Sequence, residues 1–143
     1  MVVVVIDTSI KDQVAISIWH VYSHNRLIIK TIYHSVNVTS TEAKLFAIRY
    51  SINQATHLLN TNHIFAIMDS IHAAKRIFDS LSYLYQIYSA VIYGKPKEFF
   101  HKDNNNFIEF LDCLSNCKWS LHDIVDKETK KFDLTPILLY KSL

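Results

Sequence analysis

The chain has 143 residues, half of them hydrophobic and a fifth charged, with a formal net charge of +2. This composition excludes a disordered or fibrous protein and suffices for one domain with a buried core. The charge alone does not point to a nucleic-acid partner, and no apolar run approaches the roughly 20 residues that span a bilayer as a helix.

The first segment, MVVVVIDTS, lacks a basic n-region and a small-residue cleavage site. It reads as a buried strand over residues 2–7, and the protein is expected to be intracellular, cytoplasmic or nuclear, without a membrane partner. Residues 13–22 alternate Val14, Ile16, Ile18 and His20 against Ala15, Ser17, Trp19 and Val21. The turn SHNR leads into a third strand over residues 27–38, so that three strands form an antiparallel meander. With one Gly and two Pro in the chain, the turns rely on Asn, Asp, Ser and His.

The period then changes. From Thr41 to Leu59, Leu45, Ile48, Ile52, Ala55 and Leu59 recur at helical spacing, and Thr39 and Glu42 match a capping box. Residues 63–68 read as a strand. Residues 70–80 and 82–101 read as helices, the second interrupted at Gly94 and Pro96, with Tyr83, Tyr85, Tyr88 and Tyr93 as packing surface. NNNFIEFLDC gives the last strand, and LHDIVDKETKKF a charged final helix. Cys113 and Cys117 form a lone CxxxC and read as ordinary thiols.

The order β-β-β-α-β-α-α-β-α predicts an α/β domain over residues 1–143. Its core spans about 2–132, and an apolar tail follows over 133–143. The sheet is expected to be mixed and five-stranded, three antiparallel strands then two parallel ones, with helices on both faces.

Three carboxylates stand at element boundaries. Asp7 closes VVVVI, Glu42 opens the first helix, and Asp69 follows HIFAIM. Singly, the aspartates read as turn formers and Glu42 as a cap. Together they can converge on a divalent cation, which such a cluster needs to offset its repulsion. That is the pattern of a phosphoryl-transfer site on nucleic acid.

The segments IDTS, STEAKLFAIRYSINQA and IMDSIHAAKRI resemble the ribonuclease H domain attached to retroelement reverse transcriptases, especially those of fungal genomes. The resemblance spans roughly residues 2–130. It implies a ribonuclease H-like fold and a metal-dependent endoribonuclease that cleaves the RNA strand of RNA–DNA hybrids. It implies two Mg²⁺ or Mn²⁺ ions held by Asp7, Glu42, Asp69 and Asp126, with Asp7 bridging them and Asp123 as the rival fourth acid. His122 would move a proton, and Glu42 would contact the 2′-hydroxyl that distinguishes RNA. Thr8, Ser9, Ser70, Lys95 and Lys97 would touch nucleic acid, a polymerase domain would be a partner, and the chain is expected to be a monomer.

Two departures stand out. Thr8 occupies the position after the first Asp where the family has Gly, and WSLHDIVDKETKK is shorter than the family's last motif. The competing expectation is therefore a catalytically degenerate ribonuclease H-like scaffold that binds nucleic acid or protein. A third is a related nuclease or transposase acting on DNA.

Overall fold

A computed structural model of the chain describes residues 2–61, 63–81, 86–93, 95–100 and 119–132. Its elements are β1 (Val2–Lys11), β2 (Val14–Ser23), β3 (Arg26–Val36), α1 (Ser40–Leu58), β4 (His63–Met68), α2 (Ile71–Leu81), β5 (Gln86–Tyr93), β6 (Lys95–Phe100) and α3 (Trp119–Lys131). The fold is mixed α/β, as expected.

The first four strands lie in the order β3-β2-β1-β4, an antiparallel meander joined to one parallel strand. β5 continues the sheet parallel to β4, and β6 pairs antiparallel with β5. Among the described residues the sheet thus has six strands, where five were expected.

The meander turns through two tight two-residue connections. Lys11 pairs with Val14 across Asp12–Gln13, and Ser23 pairs with Arg26 across His24–Asn25. All four turn residues have positive φ, between 51° and 63°. This left-handed geometry matches the twist of hairpin strands, and Asp, His and Asn are enriched in it. β1 runs on past Asp7 to Lys11 as the first arm of this hairpin. Asp7 therefore stands within the strand rather than at its end, contrary to the sequence reading.

α1 begins as its pattern predicts. Thr39 is the N-cap; its hydroxyl accepts from the Glu42 N–H at 3.1 Å, and its own N–H donates to Glu42 Oε1 at 3.0 Å.

The segment read as a helix over 82–101 contains β5 and β6 instead. Ile87, Tyr88, Val91, Ile92 and Tyr93 are β-branched or aromatic, and the ladder to β4 from His63–Gln86 to Met68–Val91 satisfies their backbone. The expected strand NNNFIEFLDC, the two cysteines and the tail 133–143 lie outside the described residues. None of the described helices is long and apolar enough to cross a membrane.

β1 is the centre of the molecule, and its alternation sends side chains to two cores. Val2, Val4 and Ile6 join Trp19, Val21, Ile64, Ala66 and Met68 beneath α1 and α2. Val3 and Val5 join Ile16, Ile18, Phe65 and Ile67 beneath Val125 of α3. Two fully buried β1 side chains, Val4 and Val5, thus anchor opposite faces.

A carboxylate and histidine cluster at the β1–β4 seam

The parallel register of β1 and β4 sets up the site. Val5 pairs with Ile67, and Asp7 and Asp69 each follow that pair by two residues. Because side chains alternate along a strand, both acids project toward the α3 side, like Val5 and Ile67. The β4 ladder ends at Met68, so Asp69 opens to solvent while Asp7 remains buried.

α3 completes the cluster from above. His122, Val125 and Thr129 are its buried positions, spaced as one helical stripe facing the sheet. Asp7, Asp69 and His122 each offer a ligand atom, and these atoms all lie within 4.8 Å of one another. Such a group can hold a metal ion.

His122 Nε2 lies 3.9 Å from Asp7 Oδ1. This nitrogen is buried without a hydrogen-bond partner. A buried polar atom left unpaired costs about 1–3 kcal/mol, so this nitrogen beside Asp7 is available to a ligand. Thr129 donates to Asp7 Oδ2 at 2.7 Å and also lies 2.9 Å from the Asp126 carbonyl oxygen.

Burial drives the Asp7 carboxyl up to a pKa of about 7, opposed by the Thr129 hydrogen bond and reinforced by the charges of Asp69 and Asp126. Asp126 behaves in the opposite way. Burial works against its ionisation, but hydrogen bonding with Lys130 and with Asp7 outweighs this and holds it below the usual carboxylate range. Within this coupled group Asp7 is the acid that keeps a proton and Asp126 the one that loses it. Lys130 Nζ contacts Asp126 Oδ2 at 2.9 Å, the i, i+4 pair visible in the sequence.

Glu42 is exposed and turned back into its capping box, and it is not a member of the convergent group. The α1 side chain that reaches the site is Lys44, half-buried and two residues on. With Asp7, Thr8, Asp69 and Ser70 it lines a small open pocket over Ile6, Ile48 and Met68. Lys44 and Ile48 are one turn apart on the same face of α1, which explains why they share this pocket.

The remaining expected contacts divide. Thr8 and Ser70 belong to the pocket; Thr8 Oγ1 is 2.9 Å from Ser17 Oγ, and Ser70 caps α2 by accepting from the Ala73 N–H at 3.3 Å. Ser9 lies farther along β1 opposite Ile16. Lys95 and Lys97 are on β6, separated from β1 by β4 and β5. Asp123, the rival fourth acid, is exposed on α3.

A second polar contact ties α3 down. Glu128 Oε2 lies 3.3 Å from buried His20 Nε2 and 3.0 Å from Lys30 Nζ. Burial lowers the His20 pKa, while Glu128 counteracts it. Thr129 and Lys44 were not singled out from the sequence. The stripe His122–Val125–Thr129 and the Lys44–Ile48 spacing are the patterns that mark them.

No protein-family model and no curated protein matches this chain. The site therefore rests on its own geometry.

Proposed function

We propose that this chain is a ribonuclease H-like, divalent-cation-dependent phosphodiester hydrolase that cleaves the RNA strand of an RNA–DNA hybrid. The observation that carries the reading is the convergence of Asp7, Asp69 and His122, with a buried His122 Nε2 left without a partner. The pKa of Asp7, raised chiefly by burial and further by neighbouring acids, adds weight, because strongly perturbed groups cluster at functional sites.

The donor set fits Mg²⁺ or Mn²⁺ through its carboxylate oxygens, and the imidazole favours Mn²⁺. When bound, such a cation supplies Lewis-acid polarisation of the phosphate and a water of lowered pKa. Asp7 and His122 would be its buried ligands, and exposed Asp69 would hold it on the solvent side, where a substrate phosphate could approach. Thr129 orients Asp7 by its hydrogen bond. In the hydrolysis, a water oxygen bonds to phosphorus, the bond to the 3′-oxygen breaks, and a proton ends on that oxygen. Asp126, beside Asp7, is the fourth acid expected from the sequence and serves as a charge partner for the cluster. The RNA–DNA hybrid and a reverse-transcriptase polymerase domain are the partners that follow from the resemblance.

One observation favours a second reading, a catalytically silent module of the same fold. Glu42 is engaged as a cap, so that the α1 residue lining the pocket beside the carboxylates is a lysine instead of an acid. The two readings separate on a labelled RNA–DNA hybrid incubated with Mg²⁺, Mn²⁺ or chelator, alongside Asp69→Asn. Hydrolysis predicts cutting of the RNA strand alone, dependent on metal and lost in Asp69→Asn. Folded protein that binds Mn²⁺ but leaves the hybrid intact belongs to the silent module.

A further inference from the structure

The pocket between β1, β4 and α1 holds a lysine where a site for two divalent cations would need another acid. Two elements decide which α1 side chain faces the carboxylates. Glu42 and Lys44 are two residues apart, roughly 200° around the helix, so they cannot address the same pocket. The capping box with Thr39 fixes Glu42 at the exposed start of α1. Lys44, one turn before buried Ile48, lines the pocket together with Asp7, Asp69 and Ser70.

We infer that the Lys44 ammonium is the fixed second cation of this pocket, so that the chain binds one divalent ion and uses Lys44 to hold the substrate phosphate. The inference rests on the metal-dependent reading above and specifies its stoichiometry. The charges of the neighbouring acids support it. Asp126 already has Lys130 at 2.9 Å as its counter-ion. Asp7 and Asp69 remain, and one divalent cation neutralises both. Lys44 then leaves one positive charge, which a phosphodiester with its single negative charge balances. A second divalent cation would leave the pocket strongly positive, with Asp126, already paired to Lys130, as the remaining acid beside Asp7. The unpartnered His122 Nε2 gives the single ion its third ligand from the opposite side.

The test is Mn²⁺ binding, followed by calorimetry and by the loss of the free-ion paramagnetic resonance signal. It compares the full chain with Lys44→Glu and Lys44→Met, each checked for native circular dichroism. The wild type is expected to take one Mn²⁺. Lys44→Glu is expected to take two, and to bind the first at least about tenfold more tightly because an attractive charge replaces a repulsive one. Lys44→Met, which keeps the stem without the charge, is expected to hold one Mn²⁺ somewhat more tightly while losing affinity for an RNA–DNA hybrid. Two Mn²⁺ in the wild type overturn the inference and leave the metal-dependent reading standing. Unchanged affinity and stoichiometry in both variants do the same. Absence of Mn²⁺ binding in all three folded proteins overturns the reading and the inference together.

Discussion

The two faces of β1 are built from one strand and hold different polar groups. On the α1 face, the buried Trp19 indole donates to Gln54 Oε1 at 2.7 Å, and Thr31 donates to the same oxygen at 3.0 Å. On the α3 face, buried His122 Nε2 lacks a hydrogen-bond partner. Asp7 on that face is also pushed far from its ordinary pKa. A satisfied polar group serves the fold, whereas an unsatisfied one beside a perturbed acid is kept at a cost in stability. One face of the strand therefore holds the domain together, and the other carries the candidate metal cluster.

That contrast breaks most visibly at Ile52, fully buried in the α1-face core. Ile52→Ala is expected to cost about 3 kcal/mol in urea denaturation, through lost transfer energy and a residual cavity. A loss below about 1 kcal/mol would mean that this face is loosely packed.

Asp7→Asn is expected to move stability the other way, raising it at pH 8 by on the order of 2 kcal/mol while abolishing Mn²⁺ binding. The sign follows from linkage. Asp7 has a folded pKa of about 7 against an ordinary 3.8, so its contribution is fully present below the unfolded value and is lost as pH rises through the folded one. Stability of the wild type relative to Asp7→Asn should accordingly decline between about pH 4 and 7. Binding a cation displaces that proton, so Mn²⁺ should raise the wild-type melting temperature more at pH 8 than at pH 5.5. A flat difference curve would remove Asp7 from the titration.

Thr129→Val sharpens the same point on a smaller scale. The hydroxyl opposes the upward shift of Asp7, so its loss should carry the Asp7 titration above about 7 in a carboxylate NMR experiment. The accompanying loss of stability should be about 1 kcal/mol.

The smallest expected effect is at Glu42. Gln can still accept the Thr39 N–H, so Glu42→Gln should cost less than about 0.5 kcal/mol and leave Mn²⁺ affinity unchanged. A tenfold fall in that affinity would bring Glu42 to the metal.

Much of the fold was legible because period and caps agreed. The meander, the capping box of α1 and the alternation of β2 all follow from residue order. Residues 86–100 were misread because tyrosines at helical spacing competed with β-branched neighbours, and pairing with β4 decided between them. Pairing of distant segments is not written in local spacing. The site was legible as far as Asp7, Asp69 and His122, since two of these lie just past apolar runs. What brings the acids together is the Val5–Ile67 register, which no local pattern contains. Glu42 carried two roles in the sequence, and rotation about the axis of α1 sent Lys44 to the pocket instead.

The location of the cluster also governs when it can exist during folding. The β1–β2 hairpin closes between near neighbours across Asp12–Gln13, so one edge of β1 is covered early. Its other edge waits for β4, on the far side of all of α1. Closing that distance costs loop entropy and comes late. Asp7 and Asp69 meet only across this late seam, and His122 must then arrive from α3. The cluster is thus a marker of completion: a chain with its hairpin and first helix formed, but with β4 undocked, has no site at all.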